Sequence, residues 1–219
     1  MEKKTKTDII KDLIECQGGY VTRKDINNHD IPSAMLSQYA KKFGLVKHDT
    51  GFYSKEEWPK DDFLILQYEY PKLVYSLYSA AYLHHLISEI PHSDLEVTAP
   101  KNYRPFPLPR KGVILHTDTK DKTYNLGIQE IETEHKNKVG VYDLEKMVCD
   151  FVKNKNKIED KIFDECISNY KKRTDKNISN LLRYASEMKI TNEVHSLLES
   201  MFRTDSDSKQ DKKEGKTLS

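Results

Sequence analysis

The sequence predicts an α+β protein in two regions: a small N-terminal unit of helices closed by a hairpin, then a mixed α/β region with a helical end. Three observations carry this. Apolar residues recur at helical spacing through the first forty positions and give way to a short β-like pair. From Glu96 to Tyr142 the pattern turns to candidate strands punctuated by Pro and Gly. After Asp143 the period returns to helical.

The first helix covers Thr5 to Cys16, where Ile9, Ile10, Leu13 and Ile14 share one stripe, and Gly18-Gly19 stop it. Thr22 is a natural N-cap for a second helix, Arg23 to Asn28, with Asp25 in its first turn. Asn27-Asn28-His29-Asp30 is turn chemistry. Pro32 suits the first turn of a third helix ending near Phe43, and Gly44 closes it. Leu45 to His48 and Gly51 to Ser54 flank Asp49-Thr50 as a hairpin. Three helices and a hairpin within about sixty residues is the element order of a winged helix-turn-helix. A domain boundary is expected near Trp58-Pro59, giving residues 1–60 as a DNA-binding domain.

Residues 61–202 form the second region. Phe63 to Gln67 predict a short helix broken by Pro71. Ser76 or Ser79 would cap a helix running through Leu83 to Ile87, closed by Pro91. Strands are expected at Val97–Ala99, Val113–His116, Tyr124–Ile131 and Val139–Tyr142. Helices follow at Asp143–Val152, Glu159–Lys172, Ile178–Met188 and Thr191–Phe202. Residues 203–219 have one apolar side chain, Leu218, and predict a disordered tail.

The 219 residues carry 32% charged side chains and a net charge of +1, so any polyanion-binding surface must come from local clustering. Cys16, Cys149 and Cys166 have neither disulfide-framework nor zinc-site spacing. No stretch approaches the ~20 apolar residues of a membrane helix, and the basic N-terminus leads into an amphipathic segment unlike a signal peptide. A cytoplasmic protein without membrane partner, cofactor or metal is expected.

In a helix-turn-helix the third helix enters the major groove. Leu36, Tyr39, Ala40 and Phe43 make its inward face. Ser33, Ser37 and Lys41 form one outward row, Ala34, Gln38 and Lys42 the next. Gln38 suits a bidentate pair to adenine, and the serines suit donor or acceptor base edges. Lys41 and Lys42 suit phosphate. The wing adds Lys47, His48 and Thr50; Arg23 and Lys24 open the second helix, whose N-terminus would also accept phosphate. Asp25, Asp30 and Asp49 dilute this surface. The expected partner is double-stranded promoter DNA with inverted repeats.

Beyond the wing, Tyr75-Ser76-Leu77-Tyr78-Ser79-Ala80-Ala81-Tyr82-Leu83-His84-His85-Leu86 followed by Ile90-Pro91, then Val97 to Tyr103, then Val141 to Asp150, occur in an order that resembles the AbiEi-type antitoxins of abortive-infection (phage-resistance) systems. With the hairpin ending Gly51-Phe52-Tyr53, the resemblance spans roughly residues 5 to 202. It implies a type IV antitoxin that represses its own operon through the winged helix. Its C-terminal region would counteract a nucleotidyltransferase-like toxin without necessarily forming a stable complex.

Two other readings stay open. Glu134-His135-Lys136 with Asp94 or Asp118 resembles the Glu-x-Lys pattern of metal-dependent nucleases, although the run Glu132 to Lys138 has the composition of a solvated turn. A winged-helix scaffold with no nucleic-acid role is the other. His84 and His85, adjacent on a helix, diverge too far to share a metal. Glu145 and Asp150 are expected to orient a helix start. Lys153, Lys155, Lys157, Lys161, Lys171, Lys172, Arg173, Lys176 and Arg183 make the helical end locally basic.

Overall fold

A computed structural model describes residues 4–48, 51–105, 108, 112–118 and 121–201. Thr50 and the tail from 202 onward lie outside these. The protein is α+β and divides into two compact units, Met1–Glu69 and Tyr70–Ser219. The division falls after Glu69, later than expected at 60/61, for a packing reason given below.

In the first unit, α1 (Lys6–Cys16) opens with a capping box in which Thr5 and Asp8 satisfy each other's backbone N–H groups. β1 (Tyr20–Thr22) follows. α2 (Arg23–Asn28) carries a second capping box between Thr22 and Asp25. A 3₁₀ turn over Ser33–Met35 leads into α3 (Leu36–Phe43). α3 closes on Gly44 at φ 63°, with Leu45 N–H bonded back to the Ala40 carbonyl. β2 (Val46–Lys47) and β3 (Phe52–Ser54) are the expected hairpin. The three strands form an antiparallel sheet ordered β1-β3-β2. Ile10, Ile14, Val21, Ile26, Ile31, Leu36 and Ala40 fill the core beneath α1 to α3.

β1 escaped the sequence because three residues are too few to display a period of two. The later division between units has a different, long-range cause. α4 (Asp62–Glu69) belongs to the first unit, since Phe52, Trp58 and Ile65 form a second buried cluster with Tyr20, Leu64 and Tyr68 packed around it. Tyr20 stacks on Phe52 at 4.9 Å between ring centroids. Trp58 is thus a core side chain rather than a linker residue.

The second unit is built on a five-stranded mixed sheet ordered β6-β5-β4-β8-β7. β4 (Val74–Tyr75) pairs antiparallel with β5 (Leu95–Ala99) and parallel with β8 (Lys138–Tyr142). β6 (Val113–Thr117) runs parallel to β5, and β7 (Ile128–Glu132) antiparallel to β8. α5 (Leu77–Leu83) is shorter than expected. His85, at φ 57°, takes the left-handed position usually given to glycine, and Leu86 N–H closes onto the Ala81 carbonyl. Tyr124, expected to begin a strand, ends the short helix α6 (Asp121–Tyr124).

α7 (Leu144–Lys153), α8 (Asp160–Lys172) and α9 (Ile178–Met188) match the expected helical end, and a last helix, α10, covers 191–201. α7 is buried along most of its length and packs against α5, α8 and α9. No helix among the described residues is long and apolar enough to cross a membrane.

Candidate nucleic-acid interface

The outward face of α3 follows from its amphipathic spacing. Leu36 and Ala40 are buried, and Tyr39 and Phe43 pack against the core from its edge. Ser37, Gln38, Lys41 and Lys42 are exposed on the other side. Lys41 and Lys42 occupy the last turn, where the helix dipole favours cations. Ser33 belongs to the 3₁₀ turn and is half-buried, so it does not continue the row of Ser37 and Lys41 at α-helical spacing. The Ser37 hydroxyl lies 3.4 Å from the Tyr53 hydroxyl, a contact between the helix and the central strand.

The wing divides. Lys47 is exposed on β2, opposite Tyr53. His48 turns the other way. Its Nε2 is 2.9 Å from the Ser54 hydroxyl, and its ring meets Phe52 and Trp58 edge-on. Expected as a DNA contact at the wing base, His48 instead packs into the aromatic cluster, because that cluster offers both an apolar wall and a hydroxyl partner. Thr50 lies outside the described residues.

The start of α2 also differs from expectation. Its free amides were to receive phosphate, but those of Lys24 and Asp25 already have partners. Asp25 N–H donates to the Thr22 hydroxyl, Thr22 N–H to the Asp25 carboxylate at 2.8 Å, and Lys24 N–H to the Tyr68 hydroxyl at 3.4 Å. Side-chain charge is available there, since Arg23 and Lys24 are both exposed. Arg23 lies across Gly51: a Cβ added at Gly51 would come 3.1 Å from Arg23 Nε. The guanidinium therefore sits beside the hairpin turn. Asp25, counted as diluting the basic surface, is half-buried and engaged in the capping box.

The nuclease residues of the second unit are not brought together. Glu134 accepts a 2.6 Å hydrogen bond from the Tyr82 hydroxyl, and Lys136 sits at φ 64° in the turn joining β7 to β8. Asp118 follows β6 and accepts from the Thr123 hydroxyl at 2.7 Å. Among the described residues no group of three His, Cys, Asp or Glu side chains is placed to hold a metal. His84 is buried, and its Nε2–H donates to the Tyr142 carbonyl at 2.7 Å. Burial pushes its pKa below the ordinary range.

Glu145 and Asp143 act as fasteners. Glu145 accepts from Asn177 N–H at 2.7 Å and from the Tyr170 hydroxyl at 3.4 Å; Asp143 caps α7 and accepts from the Tyr184 hydroxyl at 2.9 Å. Burial raises the Glu145 pKa above the usual carboxylate range. One feature went unread in the sequence, though its i,i+4 spacing was visible. Lys146 Nζ reaches both Asp150 oxygens at 2.8 Å and lies 4.0 Å from the centre of the Tyr142 ring, with only 3% of the lysine side chain exposed. This pair lines a polar cavity of about 200 Å³ with Thr98, His116, Asp118 and Lys153.

No family model matches the chain, and no curated protein matches it. Among solved structures it is similar to the RV2827C protein from Mycobacterium tuberculosis. The TM-score is 0.59 at 13% identity, over 92% of this chain and 78% of that one. At that identity the likeness concerns the fold.

Proposed function

We propose that the first unit is a winged helix-turn-helix and that the chain is a transcriptional autorepressor and antitoxin, with α3 read into the major groove of inverted repeats in its own promoter. One observation carries the reading. The order α1-β1-α2-α3-β2-β3, with its β1-β3-β2 sheet, leaves α3 exposing Ser37, Gln38, Lys41 and Lys42. Arg23 beside the hairpin turn and Lys47 on β2 supply flanking cations suited to phosphate. The antitoxin role, opposing a nucleotidyltransferase toxin, rests on the AbiEi-like segments of the second unit. Residues Tyr70 onward carry it in this reading, without catalysis.

The test is binding to promoter DNA at several salt concentrations. Lys41→Ala weakens binding on every sequence and lowers the salt slope by about one unit. Gln38→Ala relaxes preference at one base position, by ~1–3 kcal/mol there. Equal affinity for promoter and random DNA refutes the repressor. Failure of residues 70–219 to rescue cells from the toxin, expressed from an unrelated promoter, refutes the division of labour.

A further inference from the structure

The outer edge of β7 is laid out as a template. β7 is the last strand on its side of the sheet. Four of its five residues are exposed, and Ile128 leaves 42% of its surface in solvent. Register tells which backbone groups face outward. Asp143 N–H bonds to the Gly127 carbonyl at 2.6 Å, and Thr133 N–H to the Asn137 carbonyl at 2.8 Å, bracketing the pairing of Ile128 with Tyr142 through Glu132 with Lys138. Hydrogen-bonded and non-hydrogen-bonded pairs alternate along an antiparallel ladder. Gln129 and Ile131 therefore bond to β8, while the N–H and C=O groups of Ile128, Glu130 and Glu132 point away from it.

Those same three residues share one face, and their order is apolar, acidic, acidic. Glu130 stands opposite Gly140, which has no side chain to answer its charge. A second copy of β7 laid antiparallel and centred on Glu130 would bring Glu130 against Glu130, a like-charge pair that destabilises a ladder. The edge thus disfavours its own copy and favours a strand of opposite charge.

We propose that the outer edge of β7 is a docking site for an extended basic segment of a partner protein, which adds a strand to the sheet. Antiparallel addition places a basic residue opposite Glu132, a second opposite Glu130 and an apolar residue opposite Ile128. The recognised segment reads basic-x-basic-x-apolar from its N-terminus. Backbone bonds at Ile128, Glu130 and Glu132 provide the attachment, and Glu130, opposite Gly140, provides most of the charge selectivity, since Glu132 already faces Lys138 of β8.

The experiment uses the full chain and the capped peptide Thr-Lys-Val-Arg-Val-Ile-Thr, with Thr-Glu-Val-Glu-Val-Ile-Thr as control. Amide exchange is followed by nuclear magnetic resonance. Saturation with the basic peptide slows exchange at Ile128, Glu130 and Glu132 and leaves Gln129 and Ile131, already bonded to β8, little changed. The charge-reversed Glu130→Lys/Glu132→Lys protein, checked for an unaltered spectrum elsewhere, binds the basic peptide about tenfold more weakly and gains the acidic one. Two results overturn the proposal. One is equal binding of the basic peptide by both proteins, or binding without the alternating protection. The other is a wild-type protein that ignores the peptide while the charge-reversed variant self-associates; the glutamates then serve only to keep copies apart.

Discussion

Replacing Lys146 by Met tests how the centre of the second unit is held together. Met keeps most of the apolar stem and removes the ammonium, so little cavity is created. Asp150 is left with 14% of its side chain exposed and without its bidentate partner, and Tyr142 loses the cation over its ring. Removing one member of a buried ion pair costs about 3–5 kcal/mol, because the other charge stays buried and uncompensated. For a chain of this size that lowers the melting temperature by about 10 °C. The loss depends on pH. Burial already raises the Asp150 pKa above the ordinary carboxylate range, and Lys146 pulls it back. A raised pKa means the folded state holds the proton more tightly than the unfolded chain, so stability falls as pH rises through the folded value. Without Lys146 the folded value moves higher, so that fall is larger. The deficit against wild type grows as pH rises above the ordinary carboxylate range and shrinks as pH drops toward it. Urea unfolding at pH 5 and pH 8 measures it, and Asp150→Asn in the Lys146→Met background recovers part of the loss. A deficit equal at both pH values, with no recovery from Asp150→Asn, refutes the argument that the buried carboxylate carries the cost.

Gly127→Ala is expected to lower stability by about 2 kcal/mol or more. Gly127 holds φ 64°, and an added Cβ would fall 2.5 Å from Asp143 Oδ1, the cap of α7; thermal unfolding reads this directly. Burial pushes the Cys149 and Cys166 thiols up to about 12, while Cys16 is exposed, so a native-state thiol titration at neutral pH should find one fast-reacting cysteine. Glu145→Gln keeps an acceptor for Asn177 N–H and removes a buried charge. Since the Glu145 pKa is raised, the stability of wild type relative to this variant should decline as pH rises from 4 to 8, as unfolding at each pH will report. Thr22→Ala removes the acceptor for Asp25 N–H and should cost about 1 kcal/mol in the first unit, measured by chemical denaturation.

Much of the fold could be read locally. Thr5 and Thr22 announce α1 and α2, Gly44 ends α3, and Asp143 starts α7, because caps and stops act within a few residues of the chain. The exposed row of α3 was legible for the same reason, since helical spacing alone separates Gln38 and Lys42 from Leu36 and Ala40. What the chain could not announce depends on partners far along it. β1 and β4 are two or three residues long and exist only through pairing with β3 and β5. α4 joins the first unit because Phe52 and Trp58 give it an apolar seat. His48 turns inward and the Lys24 amide is already bonded, because the aromatic cluster and the Tyr68 hydroxyl reach them in space. Glu145 fastens α9 through Asn177, thirty-two residues away. By itself the sequence determined α1 to α3 and α7 to α9, where caps and stops are local, and the polar face of α3, all consequences of local backbone bonding and periodicity. The tertiary structure alone decided which polar side chains remain open to a partner, because burial and long-range hydrogen bonds exist only once the chain has closed on itself.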